Sequence, residues 1–270
     1  MPSYVITGVS KGLGFAFLSE ISNDPNNTVI GLVRDKPTTD KRVAAELAGR
    51  TNIHILQADI TDYNALKQAA ADTAKITGGS LDYLIANAGY VSQFDSYDPL
   101  GVLGNNPEVL SEDLRKLIDI NVIGNIHLYN LFLPLILKGT VKKVIVISSG
   151  HADTDLINRY DVTTSPLYSI SKGAMNVVTA KFSAQYKKDG VLFLSVCPGM
   201  VEVGHYSNLT PHQAKALGEV GSKFKEYAPD FAGPSTPEQA VRDVRKVWEN
   251  ATAEKDGGAF LSHFGNKQWL

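Results

Sequence analysis

Cysteine is all but missing from this 270-residue chain, with Cys197 the only one. A single thiol has no partner within the chain, so no internal disulfide is expected. A reducing, cytoplasmic setting fits. A surplus of positive charge is missing too: 26 Lys and Arg stand against 28 Asp and Glu, a formal net charge of −2. Nucleic acid and anionic membrane surfaces select a basic balance, so neither is an expected partner.

Long apolar runs are also lacking. The longest, Ile126–Leu137, is broken by His127, Asn130 and Pro134 and is too short to span a bilayer. An apolar strand that begins at Tyr4 leaves no room for a signal peptide. The Asn-x-Ser/Thr sequons at Asn26, Asn208 and Asn250 therefore carry no expectation of glycans. The 6 histidines show no ligand spacing, so no metal site is expected. His127 reads as packed or surface-borne, and His151 and His205 as loop residues near the site developed below. No Gly-x-Ser-x-Gly elbow supports a hydrolase. Repeats, low-complexity tracts and linker-like shifts in composition are absent. Cys197, before Pro198 at the end of an apolar strand, reads as a small buried hydrophobe. Asp82 reads as a turn or cap residue.

What is present is an alternation. Hydrophobic residues make up 43% of the chain. They fall into short β-branched runs at Tyr4–Thr7, Thr28–Val33, Ile53–Gln57, Leu81–Ala86, Lys143–Ser148, Leu192–Val196 and Ala259–Ser262. Several are apolar at consecutive positions, as strands covered on both faces must be. Helix-patterned stretches intervene, among them Asn64–Ile76, Glu112–Leu137, Pro166–Lys188 and Pro237–Glu249. Strand–helix alternation implies right-handed crossovers and a parallel sheet, here one α/β domain over residues 1–270. Phe94–Pro107 and Gly204–Thr236 resist regular assignment. The second follows a strand's carboxyl end, where open α/β sheets bind ligands, and is read as a substrate loop or lid.

The first strand runs into Thr7-Gly8-Val9-Ser10-Lys11-Gly12-Leu13-Gly14, with a helix pattern behind it. Glycines there let the backbone turn sharply and let a pyrophosphate approach the amides at the helix start. The second strand ends Val33-Arg34-Asp35. An acid at this strand end accepts from the ribose hydroxyl of NAD, whereas an Arg pairs with the 2′-phosphate of NADP. Val33 occupies the acid's place, and Arg34 with Lys11 favours NADP(H). Asp35 would serve as an NAD-type acid if the register slipped. Asp59 can accept from an adenine amino group or cap the next helix. Asn87-Ala88-Gly89 suits close approach to a ribose, and Asn87 can also bridge strands.

The fifth strand ends in Ser148-Ser149-Gly150, and Tyr168-Ser169-Ile170-Ser171-Lys172 follows. Tyr168 and Lys172 stand at i and i+4 on one helix face. An ammonium beside a phenol favours its ionised form, so the phenol can hand a proton to a carbonyl oxygen. A serine hydroxyl nearby can stabilise the developing negative charge.

Together these motifs resemble the short-chain dehydrogenase/reductase superfamily over nearly the whole chain. They are the Thr7–Gly14 turn, Asp59, Asn87-Ala88-Gly89, Asn121, Ser149, Tyr168, Lys172 and Pro198-Gly199. The resemblance implies a single-domain Rossmann-like, doubly wound parallel sheet of about seven strands in the order 3-2-1-4-5-6-7. It implies a catalytic tetrad of Asn121, Ser149, Tyr168 and Lys172, with Ser149 chosen over Ser148 because the family's serine is usually the second of such a pair. Lys172 would also hold the nicotinamide ribose, and Asn121 a water that links Lys172 to solvent. The implied cofactor set is Thr7, Gly8, Ser10, Lys11, Gly12, Leu13, Gly14, Arg34, Asp59, Ile60, Asn87, Ala88, Gly89, Tyr168, Lys172, Pro198, Gly199 and Val201. The expected activity is NADPH-dependent reduction of a ketone or aldehyde to an alcohol. The alternative is an NADP-binding protein of this fold with a sensor or non-redox biosynthetic role. A small carbonyl or alcohol substrate and a homodimer complete the expectation.

The chain departs from the family pattern at three places. The loop His151–Ser165 and the segment around Phe94–Pro107 are lengthened, and Val203 stands where a cofactor-bonding Thr is usual. Phe94, Tyr97, Tyr160 and Tyr206 suggest a ring-bearing substrate.

Overall fold

The computed structural model describes residues 1–204 and 209–270. Seven strands form one sheet: β1 (Ser3–Thr7), β2 (Thr28–Val33), β3 (Ile53–Gln57), β4 (Tyr83–Ala86), β5 (Lys143–Ile147), β6 (Leu192–Cys197) and β7 (Phe260–Ser262). All pairings are parallel, in the order β3-β2-β1-β4-β5-β6-β7. Eleven α-helices lie between them among the described residues: α1 (Gly12–Ser22), α2 (Lys36–Glu46), α3 (Tyr63–Thr77), α4 (Leu100–Leu103), α5 (Pro107–Ile118), α6 (Gly124–Ile136), α7 (Thr154–Tyr160), α8 (Pro166–Tyr186), α9 (Pro211–Tyr227), α10 (Pro237–Asn250) and α11 (Ala253–Asp256). This is the doubly wound, Rossmann-like fold in the expected strand order.

The consecutive apolar residues of the strands feed two cores by turns, because side chains alternate across a pleated sheet. On β1, Tyr4 and Ile6 join one core with Phe17 of α1 and Val241, Val244 and Trp248 of α10. Val5 joins the other with Leu66 of α3, Leu128 and Phe132 of α6 and Met175 of α8. On β5, Ile145 and Ile147 go to the first core, and Val144 and Val146 to the second. Covering both faces leaves the carboxyl edge of the strands as the open side. The strand order reverses between β1 and β4, the place where such sheets hold ligands.

Several boundaries differ from the sequence reading. Within the stretch read as irregular, residues 211–227 form the 17-residue helix α9. Only Val220 and Phe224 of that helix are buried, so its apolar pattern is sparse. Phe94–Pro107 contains the short helix α4. The predicted helix Glu112–Leu137 starts earlier, at Pro107, and passes through a π-turn at Asp119–Ile123 before α6. The lengthened loop His151–Ser165 holds a 3-10 turn at Gly150–Ala152 and then α7. Strand β4 begins only at Tyr83, and the Asp82 carboxylate just before it ties chain segments together. It accepts from the Ser3 amide at 3.0 Å and the Thr140 amide at 3.0 Å. Asp82 is thus a structural anchor at the amino end of the sheet. His205, Tyr206 and Asn208, singled out above, lie outside the described residues.

Candidate active site

A cleft of about 850 Å³ runs along the carboxyl edge of the sheet. Every member of the expected cofactor set lines it, as do Ser149, Tyr168 and Lys172. Asn121 does not line it and is buried behind it.

At one end the β1–α1 turn is built for close approach. Gly8 has φ +75°, and a Cβ there would stand 3.0 Å from the Ala88 Cα. A Cβ on Gly14 would stand 2.1 Å from the Gly8 carbonyl oxygen and 2.6 Å from Asn87 Nδ2. Asn87 serves the bridging role: its Nδ2 donates to the Thr7 carbonyl at 2.9 Å, while its amide and that of Ala88 donate to Thr7 Oγ1. Helix α1 starts at Lys11 with no side-chain cap. By contrast α2, α3, α9 and α10 are capped by Asp35, Asp62, Thr210 and Thr236. Uncapped first-turn amides and a partial positive charge suit a phosphate, so these residues fit a dinucleotide.

Arg34 and Lys11 line this end of the cleft, while Asp35 does not. The Asp35 carboxylate accepts from the Thr38 amide at 3.0 Å, and the Thr38 hydroxyl together with that amide holds its pKa below the usual carboxylate value. Asp59 faces the cleft and accepts from the amide and hydroxyl of Thr61. The cap of α3 is Asp62 rather than Asp59. Val203 packs against the glycine turn, its Cγ1 3.4 Å from where a Gly12 Cβ would sit. An apolar contact thus stands where the family's hydroxyl is missing.

At the other end, Tyr168 and Lys172 share a face of α8. Lys172 Nζ lies 5.6 Å from the Tyr168 ring centroid. The ammonium is buried and donates to the Ile147 carbonyl, the last of β5, at 2.8 Å. Burial pushes its pKa down to about 8, with the Cys197 thiol opposing, so it stays mostly protonated at pH 7. Ser148 is buried and donates to Asn176 Oδ1 at 2.8 Å. Ser149 accepts from the His151 amide at 3.3 Å. Asn121 Oδ1 accepts from the Tyr90 amide at 2.7 Å, and its Nδ2 donates to the Tyr90 carbonyl and to Ser171 Oγ, each at 3.0 Å. Ser171 donates in turn to the Tyr168 carbonyl at 2.8 Å. Asn121 therefore ties its π-turn to the strand end at Gly89–Tyr90 and to the helix of Tyr168.

Residues 3–214 match the family profile described as short chain dehydrogenase. The chain belongs to the short-chain dehydrogenase family. As a member it is an oxidoreductase. It is 61% identical over 271 residues to the short chain dehydrogenase virK of Hypocrea virens, covering 100% of both chains. It is 58% identical over 272 residues to the short-chain dehydrogenase/reductase iacC of Pestalotiopsis fici, again with 100% coverage of each. Among solved structures, the NADPH-bound carbonyl reductase from chicken fatty liver aligns over 98% of both chains with a TM-score of 0.78 and 24% identity. The carbonyl reductase Sniffer of D. melanogaster aligns over 98% of both chains, with a TM-score of 0.77 and 20% identity. At these identities the two structures support the fold and nothing finer.

The dehydrogenase has site features that the sequence reading missed. The wall opposite the glycine turn is a satellite core in which Leu156, Val220, Phe224 and Trp269 pack together. Trp269 lies against Gly150, where a Cβ would meet its side chain at 2.9 Å, and stacks on Phe260 at 4.3 Å. The suggested aromatics divide: Tyr97 lines the cleft, whereas Phe94 and Tyr160 do not, Tyr160 packing within that satellite core and Phe94 in a cluster with Leu103, Leu117 and Tyr168. Asp95 was not foreseen either. It is fully buried, and its Oδ2 accepts from the Tyr168 amide at 2.9 Å while its carbonyl accepts from the Ser165 amide at 3.0 Å. Ser165, the N-cap residue of α8, makes no side-chain cap of its own. The first turn of the helix bearing Tyr168 is therefore capped by a residue 73 positions away. Cys197 is buried, and its Sγ accepts from the Gly150 amide at 3.1 Å. His127 sits half-buried against Tyr63. Among the described residues no cluster of three or more metal-ligating side chains forms, and no helix is long and apolar enough to cross a membrane.

Proposed function

We propose that the chain reduces a ketone or aldehyde to an alcohol with NADPH, reversibly, and that Tyr168 is the proton donor. The observation that carries this reading is the placement of Tyr168, Lys172 and Ser149 in the same cleft as the open start of α1. NADPH, when bound, supplies the hydride. The Tyr168 phenol gives its proton to the carbonyl oxygen and takes it back in the oxidation direction. Lys172, held by the Ile147 carbonyl, stabilises the phenolate left behind and holds the nicotinamide ribose. Ser149 donates to the carbonyl oxygen as negative charge builds there. Asn121 anchors the set, and a water beside it connects Lys172 to solvent.

NADPH is favoured over NADH by Arg34 and Lys11 in the cleft and by the diversion of Asp35 to its cap. The fold's neighbours include a carbonyl reductase with NADPH bound. The same reading takes residues 1–270 as one catalytic domain, with 204–236 bordering the substrate. It places the enzyme in the cytoplasm, in keeping with its buried single cysteine. It pairs two copies through the faces of α5, the π-turn and α8, where Val109, Ile123, Ile170 and Val177 are exposed.

The test is a panel of ketones and aldehydes offered with NADPH and with NADH in parallel. Turnover is expected with NADPH. Tyr168→Phe should lower kcat by at least about 100-fold, the usual weight of a general acid, while retaining NADPH binding. Full activity in that variant would refute the assigned mechanism.

A further inference from the structure

We propose that the substrate is an uncharged, ring-bearing ketone with a second oxygen close to the reacting carbonyl, and that His151 recognises that oxygen. The proposal rests on the carbonyl-reduction reading above and assigns a substrate class to the same site.

His151 lines the cleft on the 3-10 turn that follows Ser149. Its amide donates to Ser149 Oγ, so the ring and the serine hydroxyl come from one hydrogen-bonded turn. The ring stands edge-on to Phe224, with centroids 6.0 Å apart and planes at 77°. Burial alone pushes its pKa down to about 4, with no charged neighbour contributing. At neutral pH the imidazole is therefore uncharged and carries a single N–H.

The position of that N–H follows from the surroundings. Nδ1 is sealed from solvent and has no hydrogen-bond partner. A proton there would be a buried donor with nothing to bond, the costlier of the two ways to leave that atom alone. The proton therefore belongs on Nε2, which is not sealed in this way, and the ring offers the cleft one neutral donor. Ser149 and Tyr168 already serve the reacting oxygen. The donor on His151 has no task in that chemistry, and it calls for a second acceptor oxygen a few atoms away.

The rest of the wall defines the substrate's body. Leu156, Leu217, Val220 and Trp269 line the cleft and pack in one cluster with Phe224, the ring that His151 stands against, and Tyr97 lines the same cleft. Among the described residues, none of the charged side chains lining the cleft belongs to this apolar cluster. Lys11, Arg34 and Asp59 belong to the glycine turn and the ends of β2 and β3, Lys116 stacks on Tyr90 at 4.1 Å, and Lys172 is tied to Ile147. A carboxylate or phosphate set against this cluster would meet apolar surface and a neutral imidazole. A flat apolar ring with a neutral oxygen matches both.

The test compares propiophenone with 3-hydroxypropiophenone, using the purified chain and NADPH. The wild type is expected to favour the hydroxylated ketone by about tenfold in kcat/KM, the weight of one neutral hydrogen bond, mainly through KM. In His151→Phe the ratio between the two ketones should fall to about one, and His151→Gln, which keeps a side-chain donor, should restore part of it. General damage to the site would slow both ketones alike and leave the ratio unchanged. A ratio that survives in His151→Phe overturns the proposal. So does a wild type indifferent to the hydroxyl, or one that prefers 3-benzoylpropionate. If neither ketone nor any other carbonyl compound consumes NADPH, the reduction reading itself falls, and this proposal with it. Turnover of other carbonyl compounds but of neither ketone, or of both ketones without a His151-dependent preference, removes the proposal alone.

Discussion

Replacing Asp95 tests whether the helix bearing Tyr168 is held in place from a distant loop. In Asp95→Ala the Tyr168 amide loses its acceptor, which now lies at 2.9 Å from a fully buried carboxylate. An orphaned buried donor costs about 1–3 kcal/mol, and loss of an N-cap about 0.5–2 kcal/mol. For a chain of this size that corresponds to a drop in Tm of about 2–6 °C. Asp95→Asn keeps a carbonyl oxygen in the same place and should retain most of the stability and activity. The pH dependence separates the two further. Burial raises the Asp95 pKa, Asp113 adds to this, and the amides of Tyr168 and Leu167 oppose it. The folded chain thus holds this proton more tightly than the unfolded chain. Wild-type stability should fall as pH rises from the unfolded value of about 3.9 through the higher folded value. Asn has no such proton, so Asp95→Asn should gain on the wild type across that window and hold its gain above it. Urea unfolding at a series of pH values, with initial rates alongside, measures both effects. An Ala variant as stable as the wild type, or an Asn variant whose difference is flat with pH, would refute the reasoning.

Two further outcomes follow from the cleft. Gly14→Ala would drive a methyl group to within 2.1 Å of the Gly8 carbonyl oxygen. It should cost about 1–3 kcal/mol of stability through overpacking. It should also weaken NADPH binding at least tenfold in a fluorescence titration, and unchanged affinity would count against the close-approach reading. Lys172 has a folded pKa of about 8, below the unfolded value of about 10.4. The unfolded chain holds that proton more tightly, so nucleotide-free wild type should gain stability as pH rises from about 8 to about 10.4. Lys172→Met lacks that gain, so its stability relative to the wild type should decline across the same window in urea titrations.

The strands were legible because their consecutive apolar residues have to satisfy two cores at once, as Val144 to Ile147 do. The glycine turn and the Tyr168–Lys172 pair were legible because each is a pattern confined to a few consecutive residues. Helix α9 escaped for the opposite reason. Its apolar residues Leu217, Val220 and Phe224 are spaced as a helix requires, but Gly218, Gly221 and several lysines interrupt them. The capping box of Thr210 and Gln213 was the available signal. The cap from Asp95 and the wall from Trp269 had no local signature, since each acts across a long sequence separation. Asn121 could be marked as a site residue from its motif. Its actual grip, on both polar atoms of the Tyr90 backbone and on Ser171, depends on how the π-turn docks against the strand end.

The bare start of α1 has a consequence beyond catalysis. Helices α2, α3, α9 and α10 bring their own acceptors to their first amides, but Lys11 has none to offer. A dinucleotide there would complete the architecture as well as serve the chemistry. At a hundred times its dissociation constant it would deepen the folded well by about 2.7 kcal/mol. Under that reading the lifetime of the polypeptide in a cell depends on the supply of the molecule it consumes.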